Sequence, residues 1–283
     1  MSLSEIGAVE KLTARLDCNN LVHYQLPLAA IDTEGQQQSV ELNPLIGRVI
    51  TLHFTGMIAC KHCGKRTKKS YAQGYCYPCM AKLAQCDLCI MKPETCHFHL
   101  GTCKEPEWGQ QHCMVDHYVY LANSSGLKVG ITRHTQLPTR WIDQGACQAL
   151  PIFKVRTRLQ SGLVEVALAE FIGDKTNWRA MLRGVPEPID LQMKAKELMP
   201  KINDKLAELR LKFGDDAITE LNEVVQDINY PVDRYLTKIS SFNFDKAPIV
   251  SGLLLGIKGQ YLIFEAGVIN MRKFSAYQIS IEY

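Results

Sequence analysis

The sequence lacks any apolar run long enough to cross a bilayer, since no stretch approaches about 18 unbroken apolar residues. Its opening segment, MSLSEIGAVEKL, lacks the basic and then apolar pattern of a secretory leader. We therefore expect a cytoplasmic protein with no membrane partner. The 283 residues are 46% hydrophobic and 22% charged, which excludes a disordered tail and allows roughly two or three domains of ordinary size.

The eleven cysteines lack the even distribution of a secreted disulfide scaffold, because nine of them lie between Cys60 and Cys113. Only Cys18 and Cys147 fall outside that stretch. In a reducing compartment, such crowding indicates metal binding. Residues 60–117 are also poor in aliphatic side chains, so a bound metal would replace the missing hydrophobic core.

Acidic residues are absent from residues 60–85, which carry a local charge of +6. Residues 128–158 contain six cations against Asp143 alone, a local charge of +5. Because the whole chain carries +3, the remaining residues carry −8. Two basic segments on an otherwise acidic chain predict a polyanionic partner, which we expect to be DNA or RNA. The alternative is a solvated, lysine-rich face.

The residue pattern predicts an α+β protein with five segments. In order, these are an N-terminal β module (1–59), a zinc-binding cysteine-rich segment (60–117), a small sheet-and-helix domain (118–188), a helical segment (189–232) and a C-terminal β segment (233–283). Neither terminal β segment has many strands of its own. The two can therefore pair into one sheet or barrel.

Within the central domain, YVYLA and LKVGIT flank the turn signal NSSG and predict a β-hairpin, with a third strand around ALPIFKVRT. Ser161 is placed as the N-cap of a helix over LVEVALAEFI, which Gly173 would end. Apolar residues spaced by three and four predict an amphipathic helix from Leu191 to Phe213. The same spacing from Ile218 to Ile228 predicts a second helix.

The strongest local pattern consists of Cys60, Cys63, Cys76 and Cys79, two CxxC pairs separated by twelve residues. Each pair forms a tight turn with both thiolates on one side, so two turns supply the four ligands of a closed structural zinc site. Reduced structural cysteines would not explain the paired spacing. A redox-active CxxC motif normally lies at the N-terminus of a helix and works without a second CxxC pair.

A second metal site is predicted from the cysteines and histidines that follow. The preferred ligands are Cys86, Cys89, Cys96 and Cys103. Cys113 is the main substitute, and a nearby histidine could also replace a thiolate. Spacing leaves open an interleaved arrangement of the CxxC pairs and an iron–sulfur cluster in place of zinc.

Basic residues and tyrosines alternate between the first two CxxC turns, in the stretch KRTKKSYAQGYCY. Cations neutralise phosphates and aromatic faces stack on unpaired bases, so this stretch is suited to nucleic acid. Alternatively, the tyrosines shield the metal and the lysines remain solvated. The predicted nucleic-acid-binding residues are Lys65, Arg66, Lys68 and Lys69, together with Arg133 from the second basic segment.

The predicted hairpin reads Tyr118-Val119-Tyr120 on its first strand and Lys128-Val129-Gly130-Ile131-Thr132 on its second, and Arg140 and Glu165 follow. Residues 118–172 thereby resemble the GIY-YIG endonuclease core. The resemblance implies that Tyr120 assists the attacking water, Arg140 neutralises the phosphate, and Glu165 binds one divalent ion, Mg or Mn. Tyr118 shares a strand face with Tyr120 and is the alternative for its role. Lys128 stands where that family has its second tyrosine.

The whole chain also resembles an uncharacterised bacterial family with a cysteine-rich segment CHFxxGTC…EPEWG…HC followed by VYLANSSGxKVGITR…PTRWIDQGA. That resemblance implies no function. The leading hypothesis is a nucleic-acid-binding zinc protein that could cleave phosphodiesters with a divalent metal. The alternative is a non-catalytic zinc-ribbon adaptor that binds RNA, DNA or a protein partner. A third hypothesis is an enzyme acting on a small phosphorylated ligand.

Overall fold

The computed structural model describes residues 4–30 and 38–283, and residues 1–3 and 31–37 of the predicted N-terminal β module lie outside this described part. The described strands are β1 (Ser4–Val9), β2 (Thr13–Leu16), β3 (Val22–Ala29), β4 (Gln38–Glu41), β5 (Val49–Ile58), β6 (His117–Asn123), β7 (Leu127–Arg133), β8 (Gln148–Val155), β9 (Ile218–Glu220), β10 (Gln226–Asp227), β11 (Ile249–Lys258), β12 (Tyr261–Phe264), β13 (Gly267–Asn270) and β14 (Tyr277–Glu282). The helices are α1 (Tyr77–Lys82), α2 (Pro106–His112), α3 (Thr139–Asp143), α4 (Arg158–Ala169), α5 (Trp178–Met181) and α6 (Leu191–Phe213).

The chain forms two compact units. Unit 1 contains residues 1–81, 182–184 and 228–283, and unit 2 contains residues 82–181 and 185–227. This division differs from the five predicted segments. It cuts the cysteine-rich segment 60–117 after residue 81 and the helical segment 189–232 after residue 227, so the first two CxxC pairs and the later cysteines belong to different units.

Unit 1 is built on one antiparallel sheet to which both ends of the chain contribute. Its strand order is β13-β12-β11-β5-β14-β1-β3-β2, and β4 pairs with β3. Residues at opposite ends of the sequence are direct partners, with Ser4 opposite Glu282 and Ile6 opposite Ser280. The N- and C-terminal β segments therefore do pair into one sheet.

The sheet of unit 1 curls into half of a barrel. Register shifts between Leu254 and Gly256 and between Tyr277 and Ile279 mark bulges, which increase the local bend and twist of a strand. Alternate side chains of these strands are buried, as Leu26 and Leu28 of β3 and Ile279 and Ile281 of β14 show. The unit's core is thus assembled from strands that are distant in sequence.

Unit 2 has a five-stranded antiparallel sheet in the order β10-β8-β6-β7, with β9 also paired to β8. The predicted hairpin is present, since Tyr118 of β6 lies opposite Thr132 of β7. The predicted third strand is β8, which runs along the other side of β6. One face of this sheet packs on α4 and α6 through a core that includes Val119, Leu121, Val164, Leu198 and Leu206.

Three local predictions in unit 2 require correction. Helix α4 begins after Thr157, not at Ser161, because Thr157 and Gln160 form a capping box in which each side chain accepts from the other residue's backbone N–H. The helix ends at Ala169, four residues before Gly173. No second helix follows Ile218, because residues 218–220 and 226–227 form β9 and β10 on the exposed edge of β8.

Helix α6 confirms the predicted amphipathic pattern. Its buried residues recur at intervals of three and four along one face, and they are Leu191, Ala195, Leu198, Ile202, Leu206 and Leu209. Asp190 caps its N-terminus by accepting from the N–H of Met193. Within residues 4–30 and 38–283, no helix is both long and apolar enough to span a membrane.

Candidate functional site

The first two CxxC pairs form a four-thiol cluster in unit 1. The sulfur atoms of Cys60, Cys63, Cys76 and Cys79 all lie within 4.8 Å of one another, and the Sγ atoms of Cys63 and Cys76 are 3.8 Å apart. A tetrahedral ion with Zn–S bonds of about 2.3 Å holds its sulfurs about 3.8 Å apart. The predicted quartet can therefore hold a tetrahedral metal ion.

Two backbone turns bring these thiols together. In the first, the N–H of Gly64 donates to the carbonyl of Cys60 and the N–H of Cys60 donates to the carbonyl of Lys65. Gly64 has a φ of +69°, which glycine adopts without strain. Burial raises the pKa of Cys60, but the backbone N–H groups of Cys63, Cys76 and His62 outweigh it and lower this pKa to about 6. The turn thus favours a thiolate.

We call residues 60–81 the knuckle. Its basic residues Lys65, Arg66, Lys68 and Lys69 are all exposed. Of its tyrosines, Tyr75 is buried beneath the ammonium of Lys61, which lies 4.9 Å from the ring centroid, whereas Tyr77 is 61% exposed. Tyr77 therefore stays largely exposed beside Tyr71, whose ring it meets in a T-shaped contact with centroids 5.7 Å apart, and Tyr75 serves the packing of the knuckle.

A cavity of about 610 Å³ lies beside the knuckle within unit 1. Among the residues that the structure describes, its lining includes four cations, Lys11, Lys61, Arg66 and Arg272, and one carboxylate, that of Glu10. Arg272 is held in place by donating from Nε to Oε1 of Gln73 at 2.6 Å. The cavity extends the cationic surface of the knuckle.

The later cysteines belong to unit 2. Cys89, Cys96, Cys103 and Cys113 all line one small space of about 10 Å³, and Cys86 is not part of its lining. Asp87 and His97 line the same space, and their ligand atoms lie within 4.8 Å of the Cys89 sulfur. Three members of the predicted second quartet and the predicted substitute Cys113 thus line this space, and the ligand atoms that lie mutually within 4.8 Å there are those of Asp87, Cys89 and His97.

The residues expected to form a phosphodiesterase site also lie in unit 2, around the amide of Gln144. The hydroxyl of Tyr120 donates to Oε1 of Gln144 at 2.9 Å, and Nζ of Lys128 donates to the same oxygen at 3.0 Å. Lys128 also donates to Oγ1 of Thr176 at 3.3 Å. Tyr120 is fully buried and Lys128 is 4% exposed, so this network is largely shielded from solvent.

Strand register explains why these side chains meet. Tyr120 lies opposite Gly130 in the β6–β7 ladder, and Lys128 lies two residues away on the same face. A Cβ on Gly130 would lie 2.6 Å from the Tyr120 hydroxyl oxygen, so the missing side chain makes room for the ring. Tyr118 shares the face and is only half-buried.

Glu165 of α4 and Arg140 of α3 also belong to this polar cluster, because their charges act on Tyr120 and Lys128. Burial raises the pKa of Glu165 to about 7, although the charges of Arg140 and Lys128 act in the opposite direction and Asp174 reinforces the rise. Burial likewise lowers the pKa of Lys128 to about 8 and raises that of Tyr120 to about 12. The pKa values of Tyr120, Lys128 and Glu165 thus all respond to the charge of Arg140.

Several neighbours in this cluster could not be predicted from local sequence patterns. Gln144 lies in the motif PTRWIDQGA and follows the last residue of α3. Thr176 and Asp174 lie in the loop after α4, outside any motif, and only the tertiary structure brings them to Lys128 and Glu165. Arg133 is half-buried in unit 2, near Cys113, and not on the knuckle with the other four predicted nucleic-acid-binding residues.

The fold and these clusters define a mixed α/β protein with a four-cysteine cluster that can hold a metal ion. The chain belongs to the family described as protein of unknown function DUF2797, which matches residues 47–279. Neither the curated proteins nor the solved structures contain a significant match to the chain. The expected membership of an uncharacterised family is confirmed, whereas no comparison supports the resemblance to GIY-YIG endonucleases.

Proposed function

We propose that this protein binds nucleic acid through its knuckle, with zinc as the structural metal, and that the polar cluster of unit 2 cleaves phosphodiester bonds. The observation that carries the proposal is the knuckle, where four exposed cations and the exposed ring of Tyr77 surround a four-thiol cluster. Cations neutralise phosphates and an exposed ring stacks on a base, so the two together favour a single-stranded or unpaired region.

Zinc suits the knuckle because four thiolates form a closed tetrahedral shell without an open position. Such a site is structural, and it holds the loop that carries Lys65, Arg66, Lys68 and Lys69 in one conformation. The cavity lined by Lys11, Lys61, Arg66 and Arg272 provides further phosphate contacts on the same unit. Binding should therefore depend strongly on salt.

Cleavage is supported by the grouping of Tyr120, Lys128, Arg140 and Glu165 within one charge network. The donor set fits a hard cation, because Glu165 and Asp174 supply carboxylate oxygens and burial disfavours an uncompensated charge on Glu165. A bound Mg or Mn ion would polarise the scissile phosphate. Arg140 would neutralise charge that develops on the phosphate oxygens.

The structure favours Tyr118 over Tyr120 for orienting the attacking water. The Tyr120 hydroxyl is fully buried and already donates to Gln144, so its role is to hold Gln144 and Lys128 in place. Tyr118 lies on the same strand face and keeps part of its surface exposed. This assignment reverses the order of preference that the resemblance implied.

A second candidate function is that of a non-catalytic adaptor for RNA, DNA or a protein partner. The burial of Lys128 and Tyr120 favours it, because their polar atoms are satisfied by Gln144 and Thr176 and not by a ligand. Such a network can simply stabilise the unit. The two candidates differ in whether the polar cluster performs chemistry.

The binding half of the proposal is tested by replacing Lys65, Lys68 and Lys69 with glutamine. Affinity for single-stranded DNA or RNA should fall, and the slope of log affinity against log salt should become shallower by about 2, at roughly 0.7 per lost phosphate contact. The measurement is fluorescence anisotropy across a salt titration.

The matched control replaces Lys196, Lys238 and Lys246, three exposed lysines outside the knuckle, and removes the same total charge. This control should retain the wild-type slope if the contacts are local to the knuckle. Equal slopes for the wild type and both triple variants would assign the knuckle lysines to a solvated face.

The cleavage half is tested with Glu165→Gln and Arg140→Ala, assayed with zinc retained and magnesium or manganese added. Loss of one transition-state contact costs on the order of 100- to 1,000-fold in rate, so both variants should be inactive against a substrate that the wild type cuts. The substrates are labelled single-stranded, duplex and branched DNA and RNA. Glu165→Gln should still bind, because removing a negative charge does not weaken attraction to phosphate.

Glu170→Gln is the control for charge on the same helix, since Glu170 is exposed beyond the C-terminal end of α4 and should leave cleavage unchanged. A wild type that binds these nucleic acids but cuts none of them would leave the adaptor function. Cleavage by both cluster variants at the wild-type rate would remove Glu165 and Arg140 from the chemistry.

A further inference from the structure

Three side chains of unit 2 bring metal-ligand atoms to one point, away from the knuckle. A carboxylate oxygen of Asp87, the Sγ atom of Cys89 and a ring nitrogen of His97 all lie within 4.8 Å of one another. All three residues are partly buried. A tetrahedral zinc ion, with bonds of about 2.0–2.3 Å to oxygen, nitrogen and sulfur, holds its ligand atoms roughly 3.3–3.8 Å apart. Small side-chain rotations therefore suffice for the three atoms to share one ion.

The hydrogen bonds of His97 make its Nε2 atom the one that can bind an ion. The hydroxyl of Thr102 donates to the backbone carbonyl of His97 at 3.3 Å and lies 2.7 Å from Nδ1 of the ring. Because the hydroxyl has a single proton, it accepts from the Nδ1–H group, and the neutral ring then carries its lone pair on Nε2. Metal-binding histidines are held in the same way, by a hydrogen bond from the other ring nitrogen.

The distance between His97 and Asp87 suits two ligands of one ion better than a hydrogen bond. Nε2 of His97 lies 3.7 Å from Oδ1 of Asp87, whereas an N–H group donates to oxygen at about 2.7–3.2 Å. Asp87 is held in place, because Oδ1 accepts from the N–H of Cys89 at 3.2 Å and Oδ2 lies 3.0 Å from Nζ of Lys104. A carboxylate oxygen has more than one lone pair, so Oδ1 can still bind an ion.

The small space beside these ligands limits what else can bind. It has a volume of about 10 Å³, which is room for about one water-sized sphere, and all three ligand side chains line it. Cys96, Cys103 and Cys113 also line it, but their sulfurs are not among the atoms that lie mutually within 4.8 Å. The Sγ atom of Cys103 instead donates to the carbonyl of Glu105 at 3.5 Å. The space therefore suits a water molecule as the fourth ligand.

We infer that Asp87, Cys89 and His97 bind a zinc ion whose fourth ligand is water. Zinc accepts oxygen, nitrogen and sulfur donors alike, whereas magnesium and calcium prefer oxygen alone. The carboxylate and the thiolate balance the two positive charges of the ion, so the site is electrically neutral and its partial burial costs little. The site differs from the quartet that cysteine spacing predicted, because Cys89 is the one thiolate of that quartet that it uses.

The ion would hold residues 87–97 as a closed loop, because its ligands include both ends of that segment. This loop supports the start of α4. Arg158, the first residue of α4, donates from Nη2 to the carbonyl of Ile90 at 2.6 Å and from Nε to the carbonyl of Cys89 at 3.3 Å. Because α4 also carries Glu165, the zinc ion is placed to stabilise the helix on which part of the polar cluster depends.

The first test measures zinc per folded chain by elemental analysis in two matched pairs of variants. His97→Gln should contain one zinc fewer than the wild type, whereas His99→Gln should contain as many, because His99 is exposed and its ring is not among the converging ligands. Cys89→Ser should likewise lose one zinc. Cys103→Ser should lose none, although Cys103 lines the same small space.

The second test keeps all three ligands, so it decides the question even if His97→Gln does not fold. Cys60→Ser lacks one ligand of the knuckle, and zinc-edge X-ray absorption of this variant therefore reports on the ion of unit 2. We expect one sulfur at about 2.3 Å and three nitrogen or oxygen atoms at about 2.0–2.2 Å. When a chelator removes this ion, amide hydrogen exchange in residues 87–97 should become at least about 10-fold faster.

Three outcomes would overturn the inference. Wild-type zinc content in both His97→Gln and Cys89→Ser would leave Asp87 as a residue that only caps the Cys89 turn. A shell of three or four sulfurs in Cys60→Ser would make other thiols the ligands. Slow exchange in residues 87–97 of a metal-free Cys60→Ser chain would show that the loop closes without an ion. Nucleic-acid binding by the knuckle is measured separately, so this inference and the proposed function can fail independently.

Discussion

Among single residues, Glu165 has the clearest effect on how the stability of the fold depends on pH. Burial raises its pKa from 4.5 to about 7, so the folded protein disfavours its ionised form. Between about pH 4.5 and 7 the folded state holds this proton more tightly than the unfolded chain does. Stability contributed by this group is therefore present at low pH and is lost as the pH rises towards 7.

We predict that Glu165→Gln stabilises the protein at pH 8, with zinc retained and no magnesium or manganese added. The amide keeps the shape of the carboxyl group and removes the unfavourable charge, so the gain should be about 1–2 kcal/mol once screening by solvent is allowed for. At pH 4.5 the two proteins should differ little. Urea unfolding at both pH values measures the difference.

The exposed Glu170→Gln provides the comparison, and it should show no such dependence on pH. His117 also titrates abnormally, because burial lowers its pKa to about 4, and its contribution to stability rises with pH between about 4 and 6.5. His117 is present in all three proteins, so its effect cancels. A Glu165→Gln variant less stable than the wild type at pH 8 would show that pairing with Arg140 and Lys128 outweighs burial.

At the scale of helices and strands, the sequence predicts those elements that are determined by residues close together in the chain. The β6–β7 hairpin followed from its turn residues, and α6 followed from a long apolar repeat. The sequence also contains the capping box of α4, since Thr157 and Gln160 are three residues apart, and this motif indicates Thr157 and not Ser161 as the N-cap.

Residues 218–228 show where such patterns fail. Their apolar spacing is short, and the exposed edge of β8 offers backbone groups that β9 and β10 satisfy. Val224 is 79% exposed, so the repeat that suggested a helix is not a buried face. Tertiary strand pairing overrides a weak helical pattern here.

The candidate sites follow the same division between local and long-range information. The knuckle quartet was predictable because each CxxC turn fixes two ligands and the two turns are close in sequence. The later cysteines follow no such paired repeat, so only the fold shows that Cys89 lies with Asp87 and His97, and that Cys96, Cys103 and Cys113 line the same small space without Cys86. The Gln144 network likewise depends on strand register and on a loop that carries no motif.

At the scale of the whole molecule, each unit has its own means of stabilisation. The sheet of unit 1 joins both ends of the chain and buries a large apolar core, whereas the knuckle in the same unit has Tyr75 as its main buried side chain besides the cysteines. The knuckle therefore depends on metal far more than the sheet does. Unit 2 has a separate core between its sheet, α4 and α6.

We therefore predict that Cys60→Ser unfolds the knuckle and leaves both sheets intact. Structural zinc contributes on the order of 10 kcal/mol to the folding of a small metal-bound segment, so amide hydrogen exchange across residues 60–81 should become at least about 100-fold faster. Strands β5 and β14 of unit 1 and β6 of unit 2 should keep their protection, because their hydrogen bonds lie within the sheets. Cys18→Ser, an exposed cysteine in unit 1, should leave every peptide unchanged. Faster exchange spread evenly over the chain would mean that the metal supports the whole fold, and unchanged exchange in residues 60–81 would mean that the knuckle folds without metal.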